Sequence, residues 1–117
     1  MTIKMMKELL DARVLCGDDF LDKEVTSAFG CDLMSDVLAF VEERVLLLTG
    51  LMNPQVVRTA EMMDISAIVF VRGKTPDEGI IELAKSKDMV IITTDYSMYV
   101  ASGKLYSNGL KGKDGEE

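Results

Sequence analysis

Histidine and tryptophan are absent from the 117 residues, and cysteine and proline occur only twice each. Without histidine no Ser-His or Cys-His nucleophile can be assembled, and most general acid–base schemes lose their usual group. Any chemistry would rest on carboxylates, lysine, tyrosine or an external metal, so a catalytic role is disfavoured. Cys16 and Cys31 cannot hold a zinc ion alone, and neither a metal site nor a cofactor is expected. The two thiols read as small buried hydrophobes, with a redox pair as the minor alternative. Long apolar runs are missing as well. The strongest, Val37–Val41, Val45–Leu48 and Ala67–Val71, fall far short of the ~20 residues that span a bilayer. The N-terminal stretch alternates charged with apolar residues and has no continuous signal-peptide core. These absences predict a cytoplasmic protein with no membrane partner.

What is present fits a soluble globular chain, with 48% hydrophobic and 28% charged residues. A chain this long forms one domain and buries roughly two-thirds of its unfolded surface, enough for a core without staples. Thirteen basic against twenty acidic side chains give a net charge of −7. Polyanions are repelled on average, so nucleic acid is excluded as a general partner. One small anion could still be held at a local basic spot.

From Arg44 onward one unit recurs three times. Strands at Val45–Thr49, Ala67–Val71 and Met89–Thr93 start about 22 residues apart, the pitch of a short βα unit. Helices follow at Pro54 to about Met63, Pro76 to about Ser86, and Asp95 to about Tyr106, where Gly109 can terminate the chain's last turn. Asn53 with Pro54, and Thr75 with Pro76 and Glu78, carry helix-start chemistry. The inward stripes are Val56, Val57, Ala60 and Met63, then Ile80, Ile81 and Ala84, then Met98, Ser102 and Leu105. This repeat predicts a compact, mostly parallel sheet flanked by helices, with the three strands mutually parallel.

Before Arg44 the pattern is looser. Ile3–Ala12 reads as a helix, Val14–Cys16 and Glu24–Phe29 as strands, and the stretch between them as a polar loop. Asp32 is expected to cap a helix carrying Leu33, Val37, Leu38 and Val41. Residues 1–110 form the single domain, and 111–117, without an apolar residue, form a disordered polar tail.

Gly73-Lys74-Thr75 is how a P-loop ends. A P-loop needs another glycine five residues before Gly73, and that position is Ile68, inside a strand. The loop is too short to wrap phosphates, so the stretch turns a corner. It can still bind. Strand ends that lead through glycine into helix N-termini collect backbone donors at one sheet edge, and open α/β sheets hold ligands beyond the strands' carboxyl ends. Thr49, Gly50, Asn53, Arg72, Gly73, Lys74, Thr94, Asp95 and Tyr96 fall there and are the candidate ligand-binding residues.

Leu48-Thr49-Gly50, the Asn53–Glu61 helix start, Val71-Arg72-Gly73-Lys74, Thr94-Asp95-Tyr96 and Gly103-Lys104-Leu105-Tyr106 together resemble a stand-alone DRTGG domain. The resemblance is strongest over residues 44–110, and 14–43 are compatible with the family's more variable half. It implies an α/β domain similar to the N-terminal domains of HPr kinase/phosphorylase and of Mur ligases. Family members occur alone or joined to CBS domains, pyrophosphatases and phosphotransacetylases, as regulatory or association modules with no established catalytic residues. This chain departs from the pattern twice. Gly50-Leu51-Met52 stands where the family has Gly-Asp-Arg, and Gly73-Lys74 where it has Gly-Gly.

The expected function is a non-catalytic regulatory domain that binds a small anionic metabolite or nucleotide and acts with a partner enzyme or signalling kinase. The alternative is a pure protein–protein interaction subunit, and a metal-assisted phosphoryl enzyme using Asp95 and Lys74 ranks last. Met62-Met63 and an uncovered side of a small sheet also predict a homodimer.

Overall fold

Strand residues that alternate in sequence separate onto two faces. In the computed structural model, which describes residues 1–40 and 45–112, Val45, Leu47, Ile68, Phe70 and Ile91 enter one apolar cluster. Their neighbours Leu46, Leu48, Ala67, Val69, Val90 and Ile92 enter another. The strands are β1 (Arg13–Cys16), β2 (Ser27–Gly30), β3 (Val45–Thr49), β4 (Ala67–Phe70) and β5 (Val90–Thr93). They form one sheet in the order β1-β5-β4-β3-β2. The expected parallel trio is present, β2 extends it in parallel, and β1 closes the other edge antiparallel to β5. Every residue of β3, β4 and β5 is buried, as a strand covered on both faces requires.

The covering layers are helical. α2 (Met34–Phe40), α3 (Pro54–Met62) and α4 (Glu78–Ser86) place Val37, Val56, Val57, Ala60, Ile80 and Ala84 in one cluster. α1 (Ile3–Leu9) and α5 (Met98–Ser107) place Ile3, Met6, Ala101 and Leu105 in the other. The result is a three-layer α/β domain. The sheet therefore has no uncovered side, and that part of the argument for self-association is overturned. On α5 it is Ala101, not Ser102, that turns fully inward beside Leu105.

Four helices end alike. After α1, α3, α4 and α5 a left-handed residue follows the cap: Asp11, Asp64, Asp88 and Gly109. The amide one residue further reaches back five positions, from Ala12 to Lys7, Ile65 to Ala60, Met89 to Ala84 and Leu110 to Leu105, at 2.8–3.0 Å. All four of those donors are buried apolar residues. This is the Schellman arrangement, which satisfies orphan carbonyls and pins the exit by an apolar plug.

Helix starts depart from expectation in three places. Asn53 does cap α3, accepting from the Gln55 amide at 2.8 Å, with Pro54 in the first turn. The α4 cap is Asp77, which accepts from Ile80 N at 3.0 Å, and not Thr75. Pro76 is buried just before that cap instead of opening the helix. Ser97, not Asp95, caps α5. The carboxylate of Asp32 is engaged elsewhere, and α2 begins at Met34.

The expected strand at Glu24 starts at Ser27, while Glu24 itself makes an isolated bridge to Thr2. The loop before it contains a short 3-10 helix, Asp18–Phe20. Val41 of the expected α2 stripe and residues 113–117 of the expected tail lie outside the described residues. At the tail's start, the Lys111 carbonyl accepts from Ala28 N on β2 at 3.2 Å.

Candidate functional site

Because β3, β4 and β5 are adjacent and parallel, the turns after Thr49, Phe70 and Thr93 meet at one edge. The chain leaves β4 toward α4 on one face and leaves β5 toward α5 on the other. Adjacent loops that part to opposite faces make the position where open α/β sheets hold ligands. The candidate residues are gathered there, but they separate into two groups.

Thr49, Thr94 and Asn53 serve the fold. Thr49 is fully buried; its hydroxyl donates to Asp32 Oδ1 at 3.0 Å and accepts from Leu51 N at 3.1 Å. Thr94, 2% exposed, donates to the Leu10 carbonyl at 2.7 Å and accepts from Tyr96 N at 3.3 Å. That bond ties the end of β5 to the end of α1, 84 positions away. Asn53 spends its side-chain oxygen on its own helix.

The glycine amides are also taken. Gly50 N donates to Asp32 Oδ1 at 2.7 Å, and Gly73 N donates to the Thr94 carbonyl at 2.8 Å. Arg72 N donates to the Tyr96 carbonyl at 2.8 Å, and the Thr93 hydroxyl donates to the Lys74 carbonyl at 2.6 Å. The β4 turn is thus laced to the β5 turn through its backbone, and it does not present a ring of open N–H donors. Each of α3, α4 and α5 likewise has a side chain on its first-turn amides.

Arg72, Lys74, Asp95 and Tyr96 remain; the first three are exposed, and Tyr96 is half-buried against the apolar cluster shared with α1 and α5. Arg72 has φ 60° and Gly73 φ 68°, two left-handed residues in succession. For arginine that conformation is seldom adopted and is held only where the surroundings enforce it. The lacing bonds enforce it here. Arg72 and Lys74 are exposed and have no carboxylate partner among the described residues. The Arg72 guanidinium passes over Gly50: a β-carbon there would lie 2.7 Å from its terminal nitrogen. A side chain at position 50 would displace the Arg72 guanidinium from this position. Asp95, exposed, stands against Gly73, whose β-carbon position lies 3.1 Å from Asp95 Oδ1.

Two residues outside the expected set belong to this edge. Asp32 anchors the β3 turn through Thr49 and Gly50. Lys104 of α5 sets its ammonium 5.0 Å from the centre of the Tyr96 ring, a cation–π contact. Neither has a local signature, since both act across 8 or more positions of sequence. The cysteines lie apart. Cys16, buried, donates to the Met89 carbonyl at 3.4 Å, and burial raises its thiol pKa, so it is a core residue as expected. Cys31 is only partly buried; its sulfur accepts from Leu33 N at 3.2 Å.

A family model for the DRTGG domain matches residues 5–107. No curated protein sequence matches the chain. Among solved structures it is similar to the CBS and DRTGG domains of the regulatory region of Clostridium perfringens pyrophosphatase, complexed with the activator diadenosine tetraphosphate. The TM-score is 0.71 at 20% identity, covering 97% of this chain and 51% of that one. The chain therefore spans about half the length of that structure, and the likeness at this identity is one of fold. With the family model running from α1 through α5 and the three-layer sheet matching a DRTGG-containing structure, the chain belongs to the DRTGG domain family.

Proposed function

We propose that this domain is regulatory and non-catalytic. It binds a small phosphorylated ligand of the nucleotide class at the β4–β5 edge and conveys occupancy to a partner enzyme or signalling protein. The observation that carries the reading is Arg72: a cation held in a costly left-handed conformation, laid across Gly50, beside Lys74, with no carboxylate partner among the described residues. Two cations on a turn laced by backbone bonds, with no carboxylate partner among the described residues, favour an anion even in a protein of net charge −7. Because the glycine amides are internally bonded, these side chains supply the anion's recognition. Asp95 repels phosphate but accepts from a hydroxyl, which favours a ligand carrying both, such as a nucleotide. The nucleotide-type activator bound by the similar pyrophosphatase regulatory region is in keeping with that class.

Non-catalytic action is supported by the residues themselves. Histidine is lacking, and Ile68 is fully buried within β4 where a P-loop would need a flexible glycine. Among the described residues there is no group of three metal-ligating side chains, and no helix is long and apolar enough to cross a membrane. We place the domain in the cytoplasm.

The second reading, an interaction subunit without a small ligand, is favoured by exposed Tyr99, Val100 and Tyr106 on α5. A thermal-shift panel of nucleotides, dinucleoside polyphosphates and phosphorylated metabolites separates the two. A native-state ligand at a hundred times its Kd stabilises by about 2.7 kcal/mol. Charged hydrogen bonds contribute ~1.5–3 kcal/mol, so Arg72→Ala and Lys74→Ala should each weaken binding by about tenfold or more. No shift at millimolar ligand, or unaltered binding by both variants, removes the ligand site and leaves the interaction subunit.

A further inference from the structure

Three charged side chains stand in order across the candidate edge. The Arg72 amide is bonded to the Tyr96 carbonyl, but its guanidinium reaches away, over Gly50 at the end of β3. Asp95 stands against Gly73, in the turn after β4. Lys104, half-buried on α5, holds its ammonium 5.0 Å from the centre of the Tyr96 ring, in the turn after β5. Because β4 lies between β3 and β5, the order is cation, carboxylate, cation. Neither Arg72 nor Lys104 has a carboxylate partner among the described residues.

This order disfavours a single phosphate held by both cations. The ends of β3 and β5 are two strand spacings apart, about 10 Å. Two charge-assisted bonds of ~2.8 Å, meeting on one phosphate from opposite sides, reach less far than that. A phosphate placed midway would also face the Asp95 carboxylate, whose charge repels it. Two anionic groups, one on either side of Asp95, meet neither objection.

We propose that the edge takes a sugar or nucleoside bisphosphate, a ligand with phosphates on two separated hydroxyls of one sugar. Arg72 holds one phosphate, Lys104 holds the other, and Asp95 accepts from a hydroxyl between them. The proposal rests on the anion reading of this edge and adds to it where the ligand's charges sit. Lys104 is then a specificity-determining residue. The Tyr96 ring fixes its ammonium, whereas no ion pair or ring contact among the described residues fixes that of Lys74. A diphosphate chain such as that of ADP carries as many phosphates, but in one block with no hydroxyl between them. It cannot reach both cations without lying over Asp95.

Isothermal titration of the full chain with adenosine 3′,5′-bisphosphate, glucose 1,6-bisphosphate, ADP and AMP tests this. At least one bisphosphate should bind about tenfold or more tighter than ADP and AMP. Lys104→Ala should remove that advantage and leave AMP binding unchanged, and Lys104→Arg should restore it. A merely structural role for Lys104 over the Tyr96 ring would weaken all four ligands alike. Asp95→Asn should tighten ADP more than the bisphosphate. ADP binding as tightly as both bisphosphates, or a Lys104→Ala variant that keeps the preference, overturns the proposal and leaves the anion reading standing. Silence from all four at millimolar concentration overturns it too, and the anion reading falls with it only if the wider panel is also silent.

Discussion

Asp32 shows how one side chain can organise an edge that its own sequence neighbours do not predict. A single carboxylate oxygen accepts from the fully buried Thr49 hydroxyl and from the Gly50 amide, and so fixes the β3 turn over which Arg72 lies. Removing the acceptor strands a buried hydroxyl, which costs about 1–3 kcal/mol. Asp32→Ala should therefore lower unfolding free energy by about 1–2 kcal/mol, reduced from the upper end because Asp32 itself is exposed. Asp32→Asn keeps a neutral acceptor and should lose less than half as much. Urea denaturation of both variants measures the difference; equal losses would show that charge, not acceptance, matters here. Local sequence reads Asp32 as a helix cap, because Asp before an apolar periodic stretch has that meaning. Its true partners lie 17 and 18 positions away, and only the parallel register of β2 and β3 brings them near. Thr49 and Thr94 were misleading in the opposite sense: polar residues at strand ends suggest a ligand, and burial instead commits both hydroxyls to the fold.

Among elements, the strands and the faces of α3 and α4 are legible, whereas Leu33 and Leu38 of the expected α2 stripe are exposed and the helix ends are not legible. Period-two alternation sorts β3, β4 and β5 onto two clusters, and continuous burial follows from their parallel pairing. Of the left-handed residues ending helices, only Gly109 advertises itself. Asp11, Asp64 and Asp88 occupy the same conformation without glycine's freedom, and each places a negative charge at the unfavourable end of a helix dipole. Replacing each by glycine should therefore stabilise the protein, by about 0.5–1 kcal/mol per site after allowing for the looser unfolded chain. The sites are separate helix exits, so a triple variant should gain about 2 kcal/mol. Chemical denaturation of the series checks this, and a loss at any site would mean the aspartate holds a contact beyond its backbone conformation. The sequence does not single out the caps Asp77 and Ser97, for a related reason. Thr75-Pro76 and Asp95 carry start signals of their own two residues earlier, and lacing between the β4 and β5 turns keeps those residues extended or turned until later.

At the scale of the whole molecule, the fold follows from a repeated strand–turn–helix unit, while the site depends on where successive helices pack. Sequence placed nine candidates at one edge. It could not tell that α4 and α5 leave to opposite faces, nor that internal bonds consume the glycine amides while Arg72 and Lys74 have no carboxylate partner among the described residues. The central claim is that occupancy of this edge is what the domain senses. Backbone amide chemical-shift mapping on labelled protein, titrated with the best ligand from the nucleotide and metabolite panel, tests it most directly. The account predicts saturable shifts concentrated at Gly50, Arg72, Gly73, Lys74, Asp95 and Tyr96, absent in Arg72→Ala at the same ligand concentration. Shifts concentrated on another surface, or persisting unchanged in Arg72→Ala, would contradict it.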